Sequence, residues 1–383
     1  MTIPVISDVS ATCIAVPLRR PEVWTDGRRD GTNAVLVEVR TDNGLIGYGE
    51  AACGPGNSPD PVRSVIENVR PLLLGHSPIR IAHHVNRFYG VGRWRLWRSF
   101  SNAALAGIEM ALWDLAGKMR GCAVSELFGG RQRDALPVFG YVLHDEPERM
   151  ADEAKQLVLN GFEVLYLKVG LSLEKDERAL RAVRDAVGSE VRLRIDANEA
   201  WTRHQATRSL ARLAPYGLDL VEQPLAARDL RGMAQLRAAS GVPVAANQSA
   251  WTLDDVMQVV LCDAADVIVT GVQSLGGMLA LLKAGGVCDA AGIPLCRHSP
   301  AELGLSAAAS AQVLATLNCL DDAHQSLDPN WEDDIVAGDA VRVSRGRQPV
   351  PAGPGLGVEP DPDRIADFAA RYRKDGPFIV KPV

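Results

Sequence analysis

Val191-Arg192-Leu193-Arg194-Ile195-Asp196, Leu218-Asp219-Leu220-Val221-Glu222 and Val242-Pro243-Val244-Ala245-Ala246-Asn247 are short apolar runs, each closed by a side chain that carries oxygen. Runs of this kind recur at Val138–Val142, Val164–Val169, Val267–Thr270, Ile293–Cys296 and Leu317–Leu320, with helical stretches such as Glu174–Val187 and Asp254–Leu261 between them. A period of roughly 25 residues is that of one βα unit. Even spacing over eight such units predicts a modified (β/α)8 TIM-type barrel across residues 133–345, in preference to a doubly wound open sheet.

Outward from the barrel the pattern changes. Residues 1–132 combine strand-like runs (Cys13–Pro17, Asn33–Val39, Leu45–Tyr48) with a hairpin signal at Asp42-Asn43-Gly44 and a helix expected to open at Ser101. They predict a separate α+β domain. Residues 346–383 are rich in Pro and Gly, then amphipathic around Ile365–Tyr372, and are expected to pack back on that first domain. The fold class is thus α/β, a barrel with an α+β N-terminal domain completed by the tail.

The formal net charge is −6, which argues against nucleic-acid binding. No apolar run reaches bilayer length, and the start of the chain shows no signal-peptide pattern. Seven cysteines without a CxxC pair predict a reduced, cytoplasmic protein, and Cys296 reads as an inert buried thiol despite the nearby His298.

In a barrel of this kind chemistry gathers where strands end. The strand ends are Lys168, Asp196, Glu222, Asn247, Gly271, His298 and Asp321. Neighbouring strands lie about 5 Å apart, so Asp196, Glu222 and Asn247 can converge on one ion. A lone strand-end Asp is ordinarily a cap or a surface acid; three oxygen donors in register reverse that reading. Hard oxygen ligands without Cys or His select Mg2+, or Mn2+, over zinc. Lys168, if it faces inward, lies beside the dication, where its protonated form is disfavoured and it becomes a base. His298 faces it from two strands beyond Asn247 and suits a general acid or base.

The matching stretches Tyr166-Leu167-Lys168-Val169-Gly170, Arg194-Ile195-Asp196-Ala197-Asn198, Val221-Glu222-Gln223-Pro224, Pro243-Val244-Ala245-Ala246-Asn247 and Arg297-His298-Ser299 resemble the enolase superfamily, in its mandelate-racemase and muconate-lactonizing branch. The first-domain helix around Ala111–Leu115, Leu127-Phe128-Gly129-Gly130 and the tail Gly353–Val358 resemble that family's capping domain. The resemblance covers essentially the whole chain. It implies removal of a carboxylate substrate's α-proton, with the metal stabilising an enediolate.

Departures from the family pattern bear on the fate of that intermediate. Tyr166 stands where the family often has a first lysine. Asn247 resembles the glucarate-dehydratase third ligand, with Gln248 as the alternative. Gly271 replaces the lysine of epimerases or the aspartate that completes a His–Asp dyad, leaving His298 without its orienting acid unless Glu302 substitutes. A strong base facing a weaker, proton-donating histidine predicts β-elimination of water from a sugar acid or other hydroxy acid. Racemisation or epimerisation, muconate-type cycloisomerisation and a non-catalytic acid binder are the alternatives. The resemblance further implies that Asp321 hydrogen-bonds the substrate carboxylate and that Asn198 orients Lys168 or that carboxylate. Specificity is expected from loops containing Arg20, Trp24 and Asn57, whose arginines hint at a diacid. Arg93-Trp94-Arg95-Leu96-Trp97-Arg98 reads as an interface or site loop, and a homo-oligomer acting on a small carboxylate is expected.

Overall fold

The computed structural model describes residues 3–25, 27–54, 56–90 and 98–382. The N-terminal sheet is antiparallel, in the order β1 (Ile6–Trp24), β2 (Gly27–Thr41), β3 (Ile46–Ala52). The turn at Asp42–Gly44 closes β2 to β3, with the Thr41 amide donating to the Leu45 carbonyl at 3.0 Å. β1 is far longer than its central run suggests. Its ladder with β2 shifts register between Pro17 and Glu22, then resumes with Glu22 opposite Arg29 and Trp24 opposite Gly27. Such an irregularity bends a hairpin, and this one leans over the barrel, where Arg19 Nε donates to the Trp331 carbonyl at 2.6 Å.

The helix Arg98–Arg120 packs across this sheet. It starts three residues before Ser101, which lies buried inside it instead of capping it. Gly47 and Gly49 permit the contact: a Cβ would fall 2.1 Å from the Ala111 carbonyl at the first and 1.9 Å from that of Gly107 at the second. The segment Arg93–Trp97 lies outside the described residues, as do Asp26 and Pro55 of the two expected loops.

After the short β4 (Ala135–Pro137) come seven parallel strands: β5 (Gly140–Val142), β6 (Val164–Lys168), β7 (Arg192–Asp196), β8 (Leu218–Glu222), β9 (Val244–Ala246), β10 (Val267–Thr270) and β11 (Leu295–Arg297). Each pairs with the next in sequence order, which is the βα progression of a barrel. The eighth position is irregular. Leu320 bridges Leu295 and His324 bridges Val138, so the segment 320–325 spans the gap between β11 and β5. The eighth segment therefore runs past Leu320, the end expected from sequence, and the Gln325 amide still donates to the Arg297 carbonyl at 3.1 Å.

β12 (Arg347–Pro349) pairs antiparallel with β4. The helix Pro362–Asp375 then packs on β1, where Tyr372 donates its hydroxyl to Asp60 at 2.6 Å. Beyond it, Asn33 clasps Phe378 through two side-chain bonds to the Phe378 backbone, at 2.8 and 2.9 Å. Arg28 and Lys381 exchange backbone bonds. The N-terminal sheet is tied to the barrel by buried groups. The Glu50 carboxylate accepts from the Leu303 and Ser306 amides, and the Thr32 hydroxyl donates to the Ala301 carbonyl. Among the described residues no helix is long and apolar enough to cross a membrane.

Candidate active site

Strand register sets Lys168 beside Asp196, and Asp196 beside Glu222. Lys168 Nζ lies 2.6 Å from Asp196 Oδ2. Tyr166, two residues earlier on the same face, donates its hydroxyl to that oxygen as well. The other Asp196 oxygen accepts the Asn198 amide at 2.8 Å. Tyr166, Asp196 and Glu222 are all buried. Burial and the facing Asp196 charge push the Glu222 carboxyl well above the usual range.

β9 ends one strand further on. Gln223 is wholly buried and fixes that end, its Oε1 accepting from the Asn247 amide at 2.9 Å and the Ser249 amide at 3.1 Å. Asn198 and Gln223, just past the two acids, sit at φ of +43° and +36°. Side chains other than glycine adopt this left-handed region rarely, and here it turns the chain sharply at the barrel mouth. Asn247 Nδ2 donates to the Val269 carbonyl at 3.0 Å, which directs the amide, while its Oδ1 is buried without a partner. Gln248 Oε1 is orphaned in the same way. Such an unmatched acceptor is costly unless something binds it.

A cavity of about 570 Å³ lies between barrel mouth and hairpin tip, within the range of small-molecule sites. Lys168, Asn198, Gln248 and His298 line it, as do Trp24 and Asn57 from the N-terminal domain. His298 Nδ1 is buried with no partner among the described residues. Burial, then the cations of Lys168, Arg29 and Arg297, lower the imidazole to about 3. The free protein thus holds it neutral.

Four expectations are corrected. Arg20 is not in the cavity; it faces Asp145 at 3.4 Å and Glu153 at 3.0 Å, because the hairpin bend turns it to the barrel's flank. Asp321 is held by Arg194, at 2.5 Å from Nη1, in a charged cluster with Asp219 and Asp322, since the eighth segment continues beyond it. Gln325 takes the cavity position instead and accepts the Ser299 amide at 2.9 Å. Glu302 does not orient His298: its Oε1 is held by the buried Arg297 guanidinium, and among the described residues neither its Oε2 nor His298 Nδ1 has a hydrogen-bond partner. Gly271 is also more than a missing side chain. Its Cβ would lie 2.6 Å from the His298 carbonyl, so the strand after Gly271 has moved into that space.

Glu22, part of the expected specificity loop, lines the cavity, and sequence reasoning missed Arg29, Trp251, Gln273 and Val380, which also line it. Arg29 stands near the specificity loop in sequence, but its cavity position depends on the Glu22–Arg29 register beyond the bulge.

Residues 149–364 match the family model of the enolase C-terminal domain-like group. Residues 6–129 match that of the mandelate racemase / muconate lactonizing enzyme N-terminal domain. The chain belongs to the enolase superfamily. Within that superfamily's mandelate-racemase and muconate-lactonizing branch, it is 31% identical to the hydrophobic dipeptide epimerase of Enterococcus faecalis, over 79% of this chain and 86% of that one. It is 30% identical to the D-gluconate dehydratase of Thermoproteus tenax, over 89% and 71% respectively. The crystal structure of muconate lactonizing enzyme from Pseudomonas fluorescens, complexed with muconolactone, superposes with a TM-score of 0.90 at 31% identity, covering 96% of this chain and 100% of the other. These relatives are lyases and isomerases, and the superfamily shares carboxylate α-proton chemistry and a divalent metal, typically Mg2+.

The donor set accommodates that metal. Asp196 and Glu222 supply two buried carboxylates whose mutual repulsion a cation relieves, and Asn247 supplies an orphaned oxygen. Among the described residues no three His, Cys, Asp or Glu side chains form a metal-holding group.

Proposed function

We propose that this enzyme removes the α-proton of a hydroxylated carboxylate with Lys168 and eliminates water from the β-carbon. The observation that carries the reading is an asymmetry: two unlike groups line one cavity, an amine and an imidazole without a carboxylate partner. Racemisation by two bases asks each to abstract a proton from opposite faces. An imidazole lowered to about 3 is a poor base for that, whereas elimination needs one base only.

Lys168 takes the α-proton, and the β C–O bond breaks. The neutral His298 imidazole donates a hydrogen bond to the departing oxygen, in the electrophilic role open to neutral histidine. The departing hydroxide takes the proton that Lys168 removed and leaves as water, which restores the amine, and the enol product tautomerises to a 2-keto-3-deoxy acid. Asp196, Glu222 and Asn247 would hold Mg2+, whose charge stabilises the enediolate. Tyr166, beneath the cavity, shares Asp196 Oδ2 with Lys168 and holds both in place. Asn198 and Asn57 provide polar contacts for the substrate, and Trp24 an apolar wall. The sugar acid named for the Thermoproteus relative supports the hydroxylated class.

The test is incubation with Mg2+ and a panel of sugar acids, N-acyl amino acids, dipeptides and muconates in D2O, followed by NMR. Elimination to a 2-keto-3-deoxy acid is expected. Deuterium exchange without elimination would replace this reading with an epimerase, and exchange surviving in Lys168→Ala would remove the assigned base.

A further inference from the structure

The hairpin tip brings a buried ion pair to the cavity wall. Arg29 and Glu22 are 3% and 6% exposed, and both line the cavity. Glu22 Oε2 receives the Arg29 Nε and Nη2 groups, while Oε1 receives the Tyr141 hydroxyl at 2.6 Å. Both carboxylate oxygens are therefore occupied. On Arg29 one terminal nitrogen, Nη1, is buried with no partner among the described residues. A guanidinium has five N–H donors in a fixed fork, and the two on Nη1 are left over.

An unmatched donor of this kind is costly and asks for an oxygen. Glu22 determines which sort. At contact distance it offsets much of the arginine's charge, so the pair offers the cavity a hydrogen-bond donor with a reduced positive field. A second substrate carboxylate placed there would meet Glu22 as well as Arg29. We infer that Arg29 is a specificity residue whose free Nη1 binds an uncharged oxygen, a hydroxyl distal to the reacting carboxylate, and that Glu22 makes the site select hydroxylated monoacids over diacids.

This rests on the hydroxy-acid reading but is separable from it, because it is read from binding alone. Gluconate, glucarate and hexanoate serve as probes, measured by calorimetry in Mg2+ buffer. Wild type binds gluconate about tenfold tighter than glucarate, the scale of one good hydrogen bond. Glu22→Gln leaves Arg29 uncancelled and reverses that preference. Arg29→Lys keeps the ion pair, which guards against a folding defect, and loses the free donor. Gluconate affinity then falls about tenfold while that of hexanoate holds. A wild type that prefers glucarate, a preference unchanged in Glu22→Gln, equal losses for gluconate and hexanoate in Arg29→Lys, or no binding of gluconate would each overturn the inference. A failed elimination reading leaves a different mark: deuterium exchange without product, with the binding preference intact.

Discussion

Lys168 and His298 share a cavity but differ in what surrounds them. Lys168 sits against Asp196, whereas His298 Nδ1 has no hydrogen-bond partner among the described residues. Lys168→Ala is expected to lower α-proton exchange by about 10²–10⁴-fold. His298→Asn should retain exchange and lose elimination, a split visible in one D2O experiment; loss of both together would make His298 part of the abstraction step. Asn247→Asp adds a charge to the ligand set and should tighten Mg2+ binding in a fluorescence titration. Weaker binding would point to Gln248 as the ligand. The strand-end positions of Asp196, Glu222 and Lys168 were legible in the sequence because a strand end is a local property: an apolar run stops and a polar residue comes next. Asp321 was misplaced by the same logic, since the eighth segment carries its charged residues four positions before its end. The Glu22–Arg29 pair depends on a shifted register between two strands, which no local pattern encodes.

At the scale of elements, the barrel strands were readable from their apolar runs, and the ends of helices were not. Ser101 looked like an N-cap because serine favours that position, yet packing against the sheet extends the helix to Arg98. Gly271 shows the limit more sharply. In sequence it is an absent lysine or aspartate, but in space β10 and the end of β11 approach so closely that no side chain fits. Gly271→Asp is therefore not expected to create a His–Asp dyad. It should displace the His298 backbone, destabilise the fold by about 1–3 kcal/mol and abolish elimination, as thermal melting and the NMR assay would register. A gain of racemase activity with unchanged melting would contradict this.

For the whole molecule, pH acts through buried histidine. His324 is fully buried and lowered to about 3, first by burial and then by Arg297, Arg194 and Arg133. Its ordinary value is 6.5. Between those values the unfolded chain binds the extra proton, so this contribution to stability is intact above 6.5 and declines as pH falls toward 3. Glu50, raised to about 8 by burial, acts in the opposite sense: its contribution is intact near 4.5 and declines as pH rises through 8. Comparison of His324→Asn with wild type isolates the histidine. The stability gap between them should narrow by about 2 kcal/mol between pH 7.5 and 5 in urea unfolding. A constant gap would mean that His324 is not held neutral.

The clasp between Asn33 and Phe378 joins positions 345 residues apart, and Val380 beside it lines the cavity. Loop closure over such a span comes late in folding. The barrel strands, each paired with its sequence neighbour, can assemble first. In a refolding experiment, secondary structure should return well before catalytic turnover, because the pocket gains its last wall only when the two distant segments meet. A protein whose chemistry lies on the barrel thus has its maturation clock set by a contact outside it.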